Sequence, residues 1–195
     1  MSLNKFSELF VDLDSSNSTN NKIEVLKKYF LSNRPIDNAW TIYLLTGKNN
    51  KRFVSGRYLR DLFSELYDYP QWLIDTCYLK VGDSAEVITL LLKNKNASQT
   101  KKIHKTSLNE LLSKVLPELS KLNEEEKKLR IKKAWETLPA DNHLTFNKIL
   151  TGTFRVGVSV GLITKSIAKL INIDEEIISH RLMGDFKPSI NAYEF

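Results

Sequence analysis

Thr151, Gly152, Arg155, Gly157 and Ser159 fall within one short span, and Lys165 follows on the same stretch. Hydroxyls, glycines and cations set this close are what an anion site needs. Glycine lets backbone amides turn toward a ligand, a helix start supplies unpaired N–H groups, and arginine forms charge-assisted bonds to phosphate oxygens. The span 147–169 reads as a helix ending at Leu150, a stop at Gly152 in the left-handed conformation, and a second helix capped by Ser159 that runs to Leu170. Amides in the first turn of that second helix, with Arg155, Ser159 and Lys165 alongside, would hold a phosphate. The same residues admit a structural reading. Gly152 then only stops a helix, Gly157 and Gly161 only let helices pack closely, and Arg155 only pairs with a surface carboxylate.

Other chemistry finds little support in the chain. Cys77 is the single cysteine, which excludes an intramolecular disulfide and offers no metal cluster. His104, His143 and His180 have no partner arrangement that suggests catalysis, and neither a glycine-rich phosphate loop nor a metal site is evident. Of 195 residues 42% are hydrophobic and 27% charged, as in soluble globular domains, and no apolar run reaches the length of a membrane span. The start lacks an apolar core ahead of a small-residue cleavage site, so a cytoplasmic location is expected. The net charge of +6 is uneven: Lys and Arg number 11 against 11 acids in residues 1–92, 16 against 7 in 93–170, and 2 against 5 in 171–195. A local basic excess suits a polyanion, and it equally suits a solvated lysine face.

The elements that would position these residues are all helical, about ten by their cap signals. Leu3, Phe6, Leu9, Phe10 and Leu13 recur at helical spacing. Thr19 or Asn20 caps a helix with Ile23, Leu26, Tyr29 and Phe30 on one face, and Asp37 starts a third that buries Trp40, Tyr43, Leu44 and Leu45 and ends at Gly47. A loop follows with Lys48, Lys51 and Arg52, then a helix capped by Ser55 that carries Arg57 and Arg60; these cations line a duplex or a solvated loop. Pro70 opens a helix with Trp72 and Cys77 in the core, and Asp83 with Glu86 forms a capping-box pair before a central apolar helix. Residues 93–106, with Lys101 and Lys102 among five lysines, read as a connection between lobes 1–92 and 107–186, and 187–195 as the start of a linker. Ser107 and Asn123 open further helices with Glu110 and Glu126 in box spacing, and the second pairs Glu124 with Lys128 and Glu126 with Arg130 and continues through Leu129 to Leu138. Asp141 caps the helix that leads into the glycine span, and Asp174 begins the last helix.

Several stretches together resemble the amino-terminal DNA-binding domain of ATP-dependent DNA ligases, particularly the bacterial type. They are 37–47, Pro70-Gln-Trp-Leu followed by 81–86, Leu150-Thr-Gly-Thr-Phe-Arg-Val-Gly-Val-Ser159, and His180-Arg-Leu-Met-Gly184, in the family's order over nearly the whole chain. The resemblance implies a two-lobed helical domain that grips nicked double-stranded DNA through its backbone, in DNA repair, replication or recombination. Carried over by position, the contacts would be Gly82 and Asp83 at one helix start and Thr151, Gly152, Arg155, Gly157 and Ser159 at the other. Lys165, Lys48, Arg52, Arg57, Arg60, Lys101 and Lys102 would supply further charge. The family's adenylated lysine stands in a Lys-x-Asp-Gly motif of a separate catalytic domain, and this chain has no Asp-Gly dipeptide. The expectation is therefore a non-catalytic module with no cofactor of its own, partnered by the catalytic domain of a parent ligase that uses ATP and Mg. The competing expectation is a helical protein-interaction scaffold whose basic surface is incidental.

Overall fold

The computed structural model describes residues 2–48, 52–95, 107–154, 157–184 and 187–188. The fold is all α, with no strand among these residues. In order the helices are α1 (Ser2–Asp14), α2 (Thr19–Ser32), α3 (Pro35–Leu45), α4 (Gly56–Tyr67), α5 (Gln71–Val81) and α6 (Ser84–Lys95). The short α7 (Leu108–Glu110) and α8 (Leu116–Leu119) are joined by a π-helical turn (Leu111–Val115) into one helical stretch. Pro117 explains the turn, since it lacks an N–H and its ring crowds the carbonyl four residues back. The chain continues with α9 (Glu124–Thr137), a 3-10 turn (Ala140–Asn142), α10 (His143–Thr151), α11 (Val160–Ile171) and α12 (Glu175–Met183).

The helices pack as two units built from interleaved segments, 1–50 with 106–112 and 154–195, and 51–105 with 113–153. These boundaries differ from the sequential lobes expected at 92 and 107. A polar, lysine-rich composition does not say which apolar faces elsewhere in the chain bury one another. Here α10 packs on α6 and α11 packs on α2, so each unit joins helices from both sides of that segment.

In the first unit, α1 lies on α2, α2 on α11 and α11 on α12. Leu3, Phe6, Leu9, Phe10 and Leu13 are buried as their spacing predicts. The Phe154 ring packs 5.8 Å from Phe6 and 5.5 Å from Phe10, centroid to centroid, which anchors the chain just after the glycine stop. Ser18, rather than Thr19 or Asn20, caps α2 by accepting from the Asn21 amide. Asp37 does not start α3, which begins at Pro35. It is buried within the first turn, where it accepts from Arg34 Nε at 2.9 Å and from the Asn109 amide at 3.1 Å, a donor in the first turn of α7. Trp40 and Tyr43 are only half-buried, because Ala39 and Ile42 take the inward face.

In the second unit, α6 packs against α4, α5 and α10, as its apolar run predicts. It extends through Lys95, so Lys93 and Lys95 belong to its last turn and not to a connection. Trp135 is fully buried among Phe63 and Tyr67 and donates to Asn147 Oδ1 at 2.9 Å, while Asn147 Nδ2 donates to Thr89 Oγ1 at 3.1 Å. One buried amide thereby ties α9, α10 and α6 with its polar groups paired. Trp72 is not core: it is 69% exposed, and Ile74 fills the inward position instead. Leu129 is likewise exposed on α9.

The capping box of Asn123 with Glu126 is present in both directions. The charge run at the start of α9 pairs differently from the expected Glu124–Lys128 and Glu126–Arg130, while Lys132 meets Glu136 at four residues. Lys127 meets Glu124 and Lys128 meets Glu125 at three residues, Lys128 also reaches Glu65, and Arg130 reaches Glu118. Asp141 falls inside the 3-10 turn, and α10 has no side-chain cap.

Candidate nucleic-acid interface

Two helix starts line one depression in the second unit. Ser55 Oγ accepts from the Tyr58 amide at 3.0 Å and caps α4, while Asp83 Oδ1 accepts from the Glu86 amide at 3.0 Å and caps α6. Helix geometry leaves the first two amides of each, those of Gly56, Arg57, Ser84 and Ala85, without intrahelical acceptors. All four residues line a depression of about 380 Å³, together with Arg52, Arg60, Gly82 and Thr151. Gly56 permits the approach, since a Cβ there would stand 2.7 Å from Ser84 Oγ. Gly82 ends α5 with φ +80°, which turns the chain into the α6 start. Two helix starts aimed at one hollow concentrate partial positive charge there.

The cations divide by role. Arg57 is 84% exposed and held loosely by Asp61 at 3.6 Å, a surface pair that a stronger anion displaces at little cost. Arg52 is exposed, and its segment is fixed because the Phe53 and Val54 amides both donate to the Leu150 carbonyl, at 3.0 and 3.1 Å. Arg60, in contrast, is 13% exposed. Its guanidinium donates to Asp75 at 3.2 Å and Ser84 Oγ at 2.6 Å and lies 4.0 Å above the Tyr78 ring, so it clamps α4, α5 and α6. Thr151 is buried; its hydroxyl donates to the Asn147 carbonyl and shares a bond with Thr153 Oγ1.

The second half of the glycine span belongs to the first unit. Gly157, Ser159 and Lys165 line a wider depression of about 740 Å³ with Phe154, Leu162 and Gly161. Ser159 Oγ accepts from the Leu162 amide at 3.2 Å and caps α11 as its sequence predicts, which leaves the Val160 and Gly161 amides without intrahelical acceptors. Gly157 sits at φ +58° and its carbonyl accepts from Lys22 Nζ at 3.1 Å. Gly161 is exposed, and the nearest atom a Cβ would meet is Ser159 Oγ at 3.9 Å, so close packing against another helix is not its reason.

The glycine span expected at one helix start is thus divided between two depressions, one in each unit. Gly82, Asp83, Arg52, Arg57, Arg60 and Thr151 share one; Gly157, Ser159 and Lys165 share the other. Gly152, at φ +67°, ends α10 and lines neither. Lys48 donates to the Gly184 carbonyl and also lines neither. Lys51, Lys101, Lys102 and Arg155 lie outside the described residues. Ser55, Gly56 and Ser84 line the hollow without a sequence signal that assigns them to a site, although the cap signal at Ser55 marks one of the two helix starts.

Titratable groups of the second unit are shifted by their surroundings. Burial pushes the Lys148 ammonium down, but hydrogen bonds from it to Asp83 and Glu86 outweigh burial and keep its pKa above the usual lysine value. Burial, with the Glu124 charge, pushes Tyr58 up to about 12, and burial pushes Tyr67 up to about 12. His143 is buried with no well-formed hydrogen bond at either ring nitrogen. Burial outweighs the Leu138 and Trp135 backbone nearby and holds its pKa below the usual histidine value. Among the described residues no cluster of His, Cys, Asp or Glu is arranged to hold a metal, and no helix is long and apolar enough to cross a membrane.

A family model described as DNA ligase N terminus matches residues 2–168, a range that takes in both depressions and reaches from α1 into α11. No curated protein matches the chain.

Proposed function

The chain belongs to the family of N-terminal domains of ATP-dependent DNA ligases, and from that premise we propose that it binds duplex DNA through the phosphate backbone without reading base sequence. The observation that carries this reading is the hollow shared by the α4 and α6 starts, with exposed Arg52 and Arg57 at its edge. Amides and arginines arranged in this way recognise phosphates and position a duplex. The α11 start, with Ser159 and Lys165, offers a second contact of the same kind. Nicked duplex is the proposed partner, in repair, replication or recombination. Sealing the nick would fall to a nucleotidyltransferase domain with the Lys-x-Asp-Gly motif, where ATP and Mg would act.

Binding of the chain to nicked, intact and single-stranded DNA across a salt series tests the reading. Affinity for both duplexes is expected to fall steeply with salt and to ignore base sequence, because each neutralised phosphate releases counterions. Charge reversal at Arg57 or Arg155 should lower both affinity and salt slope; unchanged values for both variants would overturn the phosphate role. One observation favours a protein-interaction scaffold instead. Trp72 and Leu79, 69% and 81% exposed, stand two turns apart on α5. Salt-insensitive or absent DNA binding would favour that reading.

A further inference from the structure

The α6 start in the second unit is bound by a cation that the phosphate reading leaves unused. Lys148, on α10, has a side chain only 6% exposed. Its Nζ donates to Asp83 Oδ2 at 2.9 Å and to Glu86 Oε1 at 2.9 Å. Asp83 uses its other oxygen to cap α6. Both acids therefore stand at the helix start whose Ser84 and Ala85 line the hollow. Two free carboxylates there would oppose an approaching phosphate and offset the helix dipole. Burying a lysine is costly unless it is paired, so this arrangement places stabilising demands on all three groups.

We propose that Lys148 is a positioning residue for phosphate binding: it holds Asp83 and Glu86 and cancels part of their charge, so that the α6 start accepts an anion. The inference rests on the DNA-binding reading. Lys148 does not touch DNA itself; it acts by neutralising the acidic element in an otherwise cationic lining. Asp83 thus serves the site as a helix cap, with its charge answered from inside the protein.

The test measures duplex affinity for Lys148→Met, for the neutral set Lys148→Met with Asp83→Asn and Glu86→Gln, and for Glu86→Gln alone, each checked for helical content and thermal midpoint. Lys148→Met is expected to weaken binding about tenfold at low salt, through uncompensated like charge. That deficit should narrow as salt rises, which a simple loss of packing would not produce. The neutral set should return to within about threefold of the parent chain. Glu86→Gln, on a half-exposed side chain, should bind DNA more tightly than the parent. Parent-like affinity in a folded Lys148→Met, or a folded neutral set without recovery, overturns the proposal. If Lys148→Met does not fold, Glu86→Gln decides, and affinity no tighter than the parent overturns it. A parent chain without duplex affinity brings down the DNA-binding reading and this inference with it; with a parent that binds normally, failure of the variants tells against Lys148 alone.

Discussion

The two units divide charge unequally. The first carries 11 Lys and Arg against 11 Asp and Glu, and the second 18 against 12, so the net charge of +6 belongs wholly to the second. Each nevertheless presents a helix start in a surface depression. In the second unit two helix starts and exposed arginines converge, with Asp83 paired to Lys148; in the first, one helix start with Ser159 and Lys165 stands on a largely apolar wall. The contrast separates two resources for holding an anion. Backbone amides come with any exposed helix start, whereas a surplus of cations has to be built in, and only the second unit has it.

The largest expected effect breaks the scaffold on which that surplus stands. Trp135→Ala removes a fully buried ring and strands Asn147 Oδ1, and should lower unfolding stability by about 3–5 kcal/mol, read by urea or thermal denaturation. Next comes charge. Arg52→Glu with Arg57→Glu should weaken duplex binding by about 2–3 kcal/mol, roughly a hundredfold, and reduce the salt slope by about two. Lys165→Glu in the first unit should cost less and reduce the slope by about one. Equal losses from both units would erase the contrast.

How much of this is legible in the sequence depends on the range of the interaction that decides it. Caps act across three residues, so Ser55, Asp83, Ser107, Asn123 and Ser159 are all readable, as is the amphipathic face of α1. Which helices share a core is decided by side chains far apart in the chain, and a lysine-rich segment gives no sign of the interleaved units. Trp72 misleads for a related reason. A tryptophan's apolar bulk argues for burial, but α5 turns Ile74 inward and leaves Trp72 exposed. The glycine span looks like one anion site because its residues are adjacent; the fold assigns Thr151 and Ser159 to different units. Lys148 gives no local signal at all, since its partners are 65 and 62 residues away.

A difference in pH response should sharpen the comparison further. His143 is a buried histidine of the second unit, and burial lowers its folded pKa below the unfolded value of 6.5. The unfolded chain therefore takes up the proton first as pH falls. The neutral ring's contribution is fully present above about pH 6.5 and is lost progressively below it, down to the folded pKa. Denaturation of the parent should show a stability decline over that window, and His143→Leu should flatten it. A slope that persists in His143→Leu would assign the titration to another group.

The smallest effects come from two glycines of the first unit and bear on whether its helix start binds anything. Gly157 has φ +58°, and a Cβ there would stand 3.0 Å from Lys22 Nζ. Gly157→Ala should therefore cost about 1–2 kcal/mol from backbone strain alone. Gly161 is helical, and a Cβ there would meet only Ser159 Oγ, at an ordinary contact distance of 3.9 Å. A methyl group there fits without a clash and restricts the unfolded chain, so Gly161→Ala should stabilise by about 0.5–1 kcal/mol. If a phosphate sits on the Val160 and Gly161 amides, the same methyl stands in its way and duplex affinity falls. A rise in thermal midpoint with a fall in affinity would place DNA at the α11 start, because a glycine kept for folding would move neither in that direction. A rise in midpoint with unchanged affinity would leave the phosphate grip to the second unit alone.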